Sequence, residues 1–233
     1  MARHCSELYS ASPPSHGEKL LWATRRLTSL AVAGKCGSCW AFSTTEGVES
    51  AVFRSSGKLP PPLSTEQLVD CEKADLGCNG GDIPEAIRYL KQKGMATAAD
   101  YHDDSSKPGR TQKCTWDGEY AVDVQGFKYA IPTCTKGNCA HQNEHFLAAA
   151  LAKHGPLSVC INSGDGQPGD WDDYKSGVWK RECKAKAALV DHCVQLVGYD
   201  KSGEEPYWKL RNCAPCPRST HAQPGSRAWT RGG

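Results

Sequence analysis

The run Cys36-Gly37-Ser38-Cys39-Trp40-Ala41-Phe42 decides how the chain is interpreted. Small and apolar residues continue from it at helical spacing, namely Ala41, Thr45, Val48 and Val52. Ser38 can cap the start of this helix, and Ser55-Ser56-Gly57 is a typical stop. Cys39 is therefore predicted in the first turn, where the helix dipole lowers the pKa of a thiol. The Cys-x-x-Cys spacing alone also fits a disulfide partner, a redox pair or half of a zinc site.

Two more helices are predicted in the first half of the chain. Ser64-Thr65-Glu66-Gln67 has the pattern of a capping box. Asp82-Ile83-Pro84-Glu85 repeats this pattern, with a proline in the first turn and Gly94 at the end. The part of the chain from Cys39 to Gly94 is therefore predicted to be helical.

The sequence after Cys114 changes to short apolar runs bounded by Gly, Pro and Asp. These runs predict strands at 120–127, 156–161, 194–199 and 207–210. One helix, from about Asn143 to Gly155, interrupts them. A helical half followed by a strand-rich half predicts an α+β protein of two lobes, with the active site expected in a cleft between them.

The composition excludes several classes of protein. The 233 residues are 39% apolar, which suffices for one large core or two modest ones. The formal net charge of +2 gives no basic field for nucleic acid, and no stretch approaches the roughly 18 apolar residues of a membrane span. We therefore expect a soluble protein that binds neither nucleic acid nor membrane.

Thirteen cysteines favour an oxidising compartment, such as a lysosome, a vacuole or the cell exterior. Their odd number leaves at least one without a partner in the chain. The start of the chain, residues 1–7, lacks the apolar region of a secretory signal. Either the export information lies upstream of this chain, or the argument from the cysteines fails.

Four further stretches belong with the opening run: 64–71, 77–81, 190–199 and 207–212. Together they resemble the papain family of cysteine proteases, which includes the cathepsins, over roughly residues 36–212. The pattern C-G-[SA]-C-[WY] is the local sign of the nucleophile in that family. The resemblance implies a two-lobed papain-like fold, with a helical left lobe, a β-barrel-like right lobe and the active-site cleft between them. It divides the chain into a lead-in (1–21), a helical lobe (22–125), a strand-rich lobe (126–212) and a divergent tail (213–233).

The resemblance also assigns roles to single residues. Cys39 corresponds to the nucleophile, His192 to the general base and Asn212 to the residue that orients the imidazole. Two disulfides of the helical lobe are implied, Cys36 with Cys78 and Cys71 with Cys114. Cys134 and Cys139 are close enough in sequence to pair locally.

The resemblance implies a peptide substrate that lies extended along the cleft. The implied substrate-binding residues are Gly80, Gly81, Ile83, Cys160, Val190 and Asp191. An apolar pocket predicts a hydrophobic residue two before the cut, in the P2 position; Asp82 beside the pocket leaves a basic residue as the alternative. We expect an endopeptidase that acts as a monomer without metal or organic cofactor. Its partners would be polypeptide substrates and cystatin-like inhibitors, in a lysosome or vacuole or outside the cell.

The sequence departs from the family at two places. The family has a glutamine six residues before the nucleophile that donates to the oxyanion, and Ala33 stands there in this chain. Losing one such donor typically costs on the order of 10² to 10³ in rate. Beyond Asn212 the family's Ser-Trp-Gly is replaced by Cys213-Ala214-Pro215, and residues 213–233 are predicted to be irregular, like residues 1–21. The lead-in is also too short for the family's helical propeptide, so we expect a mature-domain fragment, with ends that fit a change of reading frame or splicing.

Two other functions compete with a peptidase. The first is a catalytically impaired homologue that binds peptides or inhibitors, which Ala33 and the altered tail favour. The second is a zinc protein that uses Cys36-x-x-Cys39 with Cys213-x-x-Cys216. The roughly 170 residues between these two pairs argue against zinc, because a zinc ribbon separates them by roughly 15 to 20.

Overall fold

The computed structural model describes residues 19–21, 35–102, 108–132, 143–163, 171–174, 176–180, 190–212 and 226–230. These residues form two compact units. The helical unit consists of the described residues between 35 and 128, and the sheet unit of those at 19–21, 129–212 and 226–230.

The helical unit contains the three helices that the sequence predicts: α1 (Cys39–Ser56), α2 (Thr65–Cys71) and α3 (Ile83–Lys93). Helix α1 ends at Gly57, whose positive φ of 68° allows its N–H to donate to Phe53 O at 2.8 Å. Helix α2 starts at Ser64, whose Oγ accepts the Gln67 N–H at 3.1 Å. The capping patterns of the sequence therefore mark helix ends correctly.

Helix α1 is the central helix of its unit. Trp40 is completely buried, and so are Glu46 and Glu49, which have polar side chains. Glu49 Oε1 accepts the N–H of Leu63 at 3.0 Å, which satisfies one of its oxygens inside the core. Because residues 40–46, the first two turns of α1 after Cys39, are all buried, the N-terminus of this helix is held by the packing of its unit.

The predicted strand at 120–127 is wrong. Among the described residues this segment makes one isolated antiparallel bridge, between Val122 and Met95. Two residues after Met95, Thr97 forms its own single bridge, with Leu63 instead of with the segment 120–127. The described residues therefore give 120–127 one paired position and no strand partner. An apolar run forms a strand only where a neighbour supplies matching backbone hydrogen bonds.

The described residues of the sheet unit form one α-helix and six strands. The helix is α4 (Glu144–His154), which Asn143 caps by accepting the His145 N–H at 2.9 Å. The strands are β1 (Lys19–Leu21), β2 (Leu157–Ile161), β3 (Val178–Trp179), β4 (His192–Asp200), β5 (Tyr207–Arg211) and β6 (Ser226–Thr230). Helix α4 and strands β2, β4 and β5 confirm the predictions for these segments.

Strand β4 is a central strand of the sheet and pairs with three other strands. It is buried over all nine residues and pairs antiparallel with β5 on one side and with β2 and β1 in succession on the other. The sheet order is β1-β4-β5-β6-β3, with β2 beside β4. His192, the first residue of β4, therefore lies at one end of the most enclosed strand.

Both ends of the chain were predicted to be irregular, and both predictions are wrong in part. Strand β1 lies in the segment 1–21 and pairs with the end of β4. Strand β6 lies in the segment 213–233 and pairs with β5 and, in parallel, with β3. A run of three to five residues is too short for a clear alternation, so its neighbour in the sheet determines its conformation.

Candidate active site

Cys39 is the first residue of α1 and keeps its side chain as a thiol. It is half-buried, while its neighbours Ser38 and Trp40 are buried. The first hydrogen bond of this turn runs from Phe42 N to Ser38 O at 3.0 Å. The amide of Cys39 belongs to the first turn, whose N–H groups have no acceptor within the helix and carry the positive end of its dipole. This position favours the thiolate over the thiol.

A disulfide and hydrogen bonds join residues 36–40, which include Cys39, to the segment 77–81 around Cys78. A disulfide joins Cys36 to Cys78, as the resemblance implies, and Gly37 N donates to Cys78 O at 2.8 Å. Trp40 Nε1 donates to Gly77 O at 3.1 Å. A Cβ on Gly37 would lie 2.7 Å from Cys78 O, so glycine is required at this approach. The second implied disulfide, Cys71 with Cys114, is also present.

The glycines predicted to bind substrate, Gly80 and Gly81, lie in the segment that follows Cys78. Gly80 has a φ of 116°, which favours glycine, and its carbonyl accepts the Leu76 N–H at 2.9 Å. A Cβ on Gly81 would lie 2.5 Å from the ring of Trp40. The backbone of Gly81 is thus packed directly on the residue that follows Cys39. Ile83, the first residue of α3, is buried.

Two carboxyl groups, those of Glu72 and Asp75, lie next to residues 77–81, which we call the glycine loop. Glu72 is buried and accepts the Ala74 and Asp75 N–H groups, each at 2.7 Å. Asp75 Oδ1 accepts the Asp82 N–H at 3.0 Å, and its Cγ would lie 2.8 Å from a Cβ on Gly81. Burial raises the pKa of Asp75 from 3.8 to about 7; the Asp82 N–H opposes this rise, while Glu72 and the charge of Asp82 add to it.

The imidazole of His192 is oriented by Asn212, which directly follows β5. His192 Nε2 lies 2.8 Å from Asn212 Oδ1, and both side chains are buried. Because Oδ1 can only accept, Nε2 carries the proton and Nδ1 is the nitrogen left to exchange protons with a substrate. Trp171 packs against the ring at a centroid distance of 6.0 Å and an interplanar angle of 62°.

Three comparisons with known proteins agree with this geometry. A family model described as papain family cysteine protease matches residues 17–213. The chain belongs to the papain family of cysteine proteases. Among curated proteins it is similar to cathepsin 7 of Mus musculus, with 34% identity over 77% of this chain and 51% of the relative. It is also similar to cysteine proteinase 15A of Pisum sativum, with 36% identity over 77% of this chain and 48% of the relative.

A solved structure confirms the papain-like α+β fold. The digestive procathepsin L 3 of Tenebrio molitor larval midgut superimposes with a TM-score of 0.73 at 25% identity. The match covers 97% of this chain and 68% of that structure. The chain spans about half the length of the curated relatives it matches.

One feature near His192 was not predicted from the motifs of the papain family. Cys160 on β2 and Cys193 on β4 face each other in the strand register and form a disulfide. Cys160 was predicted only as a pocket residue. The signal was present in the sequence, because both cysteines lie on or beside predicted strands, but pairing them requires the register.

Trp171 is the second feature that the sequence did not predict. The sequence suggested no counterpart for the tryptophan that shields the histidine in the papain family. The structure places the indole of Trp171, which precedes His192 in the chain, against the imidazole. No motif surrounds this residue, so only its position in the fold reveals the contact.

The remaining pocket residues lie at the same end of β4. Asp191 is exposed, and its Oδ1 accepts the Ser163 N–H at 2.8 Å. Val190 is half-buried. Ala33, the Cys134 and Cys139 pair and residues 213–216 lie outside the described residues.

The zinc hypothesis is wrong, because the sulfur of Cys36 is bonded to Cys78. Within the described parts of the chain, no group of three or more His, Cys, Asp or Glu side chains is arranged to hold a metal. In those same parts, none of the helices has the length and apolar character needed to cross a membrane.

Proposed function

We propose that this member of the papain family is an endopeptidase that hydrolyses peptide bonds through an acyl-enzyme on Cys39. The observation that carries the proposal is the hydrogen bond between His192 Nε2 and Asn212 Oδ1. It fixes the tautomer and the orientation of a buried imidazole, which a general base requires. The position of Cys39 at the N-terminus of α1 supports it independently.

In the proposed reaction His192 holds the proton of the Cys39 thiol, and the thiolate attacks the carbonyl carbon of the substrate. The backbone N–H of Cys39 donates to the oxyanion. The C–N bond then breaks, and His192 delivers its proton to the leaving amine. Water, deprotonated by the same imidazole, attacks the thioester and releases a carboxylic acid and the Cys39 thiol.

The proposed substrate is an extended polypeptide with a hydrophobic residue in the P2 position. Backbone groups of Gly80 and Gly81 would pair with it, because their lack of side chains leaves the loop open. The P2 side chain would meet the other predicted pocket residues, Ile83, Cys160, Val190 and Asp191. We propose further that the protein acts as a monomer in a lysosome or vacuole or outside the cell, and that cystatin-like proteins inhibit it.

The test compares the protein with Cys39→Ser on a fluorogenic dipeptide amide that has a hydrophobic penultimate residue. Release of the fluorophore should fall to background in the variant, because a hydroxyl is a far weaker nucleophile at neutral pH. A quenched peptide blocked at both ends distinguishes endopeptidase from exopeptidase action. Equal rates for the two proteins would reject the assignment of Cys39.

An impaired homologue that only binds peptides or inhibitors is the second candidate, and Ala33 in the place of the oxyanion glutamine favours it. An epoxysuccinyl inhibitor separates the two. A covalent adduct on Cys39 at mildly acidic pH supports the peptidase. Folded protein that forms no adduct but binds a cystatin-like inhibitor supports the homologue.

A further inference from the structure

The pairing of β2 with β4 ends at Ile161 and His192, so the proposed general base lies in the last pair of the ladder. The last pairs of a ladder open most easily, because they have neighbours on one side only. A general base, in contrast, must hold its ring within a small distance of the reacting group. A general base in this position therefore requires an interaction that keeps the end of β4 paired with β2.

The disulfide between Cys160 and Cys193 lies one pair inside this end. It joins the two strands covalently next to His192. Both cysteines are buried, with 4% and 9% of their surface exposed. The bridge lies in the sheet unit, whereas the two disulfides that the family resemblance implies lie in the helical unit.

Hydrogen bonds of the residues at and after the end of β2 connect this strand to Trp171, which contacts the ring of His192. Ile161 O accepts the Asp191 N–H at 3.1 Å, and Ser163 N donates to the Asp191 carboxylate. Ser163 O accepts the Trp171 N–H at 3.1 Å, and Trp171 packs on the imidazole. Trp171, which contacts the imidazole, is thus hydrogen-bonded to Ser163, two residues after the end of β2. The disulfide joins β2 to β4, the strand that carries the imidazole.

We propose that the Cys160–Cys193 disulfide is a positioning element for the active site: it fixes the end of β4 to β2 and so holds the His192 imidazole between Asn212 and Trp171. The proposal rests on the proposed function of His192 as general base. The disulfide touches neither the substrate carbonyl nor the thiol in this role. Its effect passes through the backbone of His192.

The test removes the bridge with Cys160→Ala/Cys193→Ala and compares it with Cys71→Ala/Cys114→Ala. The control bridge joins the buried Cys71 to the half-buried Cys114 and closes a loop of similar length, with a sequence separation of 43 against 33. The two double variants should therefore lose similar stability by loop entropy. Only the first should affect His192.

The first readout is the NMR titration of His192, with Cys39 blocked as a methyl disulfide so that activity plays no part. We expect the imidazole signals of Cys160→Ala/Cys193→Ala to broaden and their apparent pKa to shift, while those of the control coincide with the unmodified chain. The amide of Asp191, which donates to Ile161 O, should also exchange with deuterium at least tenfold faster. Unchanged titration and exchange in the folded variant would overturn the proposal.

The second readout is the pH profile of kcat and KM. A displacement of the general base by about 1 Å can cost on the order of 10² in rate, so kcat should fall by tenfold to a hundredfold. An effect on KM alone would assign Cys160 to the pocket and count against a positioning role. If the unmodified chain itself lacks turnover, the proposed function fails, while the NMR titration still decides the role of the bridge.

Cys160→Val/Cys193→Ala is the second variant, because valine suits a buried strand position and preserves more volume. Should neither variant fold, the same titration is made on the natural chain after partial reduction with a phosphine, with mass mapping of the opened bridge. Loss of the His192 signals only in molecules whose Cys160–Cys193 bridge is open supports the proposal. Unchanged signals in those molecules contradict it.

Discussion

The side chains of His192 and Asn212 meet at 2.8 Å although 20 residues separate them in the sequence. Strands β4 and β5 bring them together, because β4 starts with the histidine and the asparagine directly follows β5. The antiparallel pairing of the two strands places the start of one beside the end of the other. The sheet therefore builds the pair from residues that are both buried and both at strand ends.

Replacing Asn212 by alanine should lower kcat/KM by about tenfold to a hundredfold. The imidazole would lose the acceptor that fixes its tautomer, and general acid–base catalysis as a whole contributes on the order of 10² to 10⁴. The buried Nε2–H would also remain without that acceptor, at a cost of about 1 to 3 kcal/mol in stability. Steady-state kinetics and urea unfolding measure the two effects.

The matched control for this variant is Asn143→Ala, which removes the cap of α4 in the same unit. It should cost about 1 kcal/mol of stability without changing the pH profile of kcat/KM. If both alanine variants reduce activity equally, the loss reflects stability and the orienting role of Asn212 is wrong.

Replacing Gly81 by alanine should raise KM and destabilise the helical unit by about 1 to 3 kcal/mol. The new Cβ would lie 2.5 Å from the Trp40 ring and 2.8 Å from Asp75 Cγ, so the loop must shift. Gly203→Ala is the comparison, because an added Cβ there meets no described atom within 4 Å. Kinetics on the dipeptide amide should separate the two, and equal KM values would show that the loop does not contact the substrate.

The free energy of unfolding should fall as the pH rises from about 4 to 7, through the titration of Asp75. Its pKa is raised to about 7 in the folded protein, so the folded state keeps a proton that the unfolded state has released above 3.8. The stabilisation by this group is complete below 3.8 and is lost as the pH rises through about 7. Asp75→Asn removes the titration and should flatten the curve in this window.

This pH dependence is measured by urea unfolding at several pH values. The asparagine would still accept the Asp82 N–H and can donate to Glu72, so the loop contacts remain. Asp117→Asn replaces an exposed aspartate of the same unit and should leave the curve of the natural chain unchanged. A curve for Asp75→Asn that parallels the natural one would contradict the assignment.

Replacing Trp171 by leucine should shift the titration of His192 and lower kcat. The indole packs on the imidazole, and the smaller leucine would leave part of this contact unfilled. The control is Trp179→Leu, because Trp179 packs on Trp171 at 5.4 Å and belongs to the same hydrophobic cluster. Both variants should lose comparable stability, and a His192 titration altered equally in both would assign the effect to the cluster as a whole.

The sequence predicted the parts of the fold that depend on local chemistry. Helix α1, its stop at Gly57 and the capped starts of α2 and α4 follow from spacing and side-chain hydrogen bonds within one turn. The candidate residues Cys39, His192 and Asn212 came from motifs. Local patterns identify such features because their causes lie within a few residues.

The features that were missed depend on partners distant in the chain. The Cys160–Cys193 bridge requires the strand register, and the short strands β1 and β6 form only where a neighbour pairs with them. The segment 120–127 shows the opposite error, because its apolar pattern finds no strand alongside it among the described residues. The raised pKa of Asp75 likewise depends on how deeply the loop is buried.

The bridge between Cys36 and Cys78 has a consequence for redesign of specificity. It joins residues 36–40, which include Cys39, covalently to the glycine loop, so that the two segments move together. The hydrogen bonds of Gly37 and Trp40 strengthen this connection. A loop variant selected for a new substrate would therefore transmit its displacement to the thiol. Libraries that alter residues 77–81 should be screened for turnover together with affinity, since the two properties share one support.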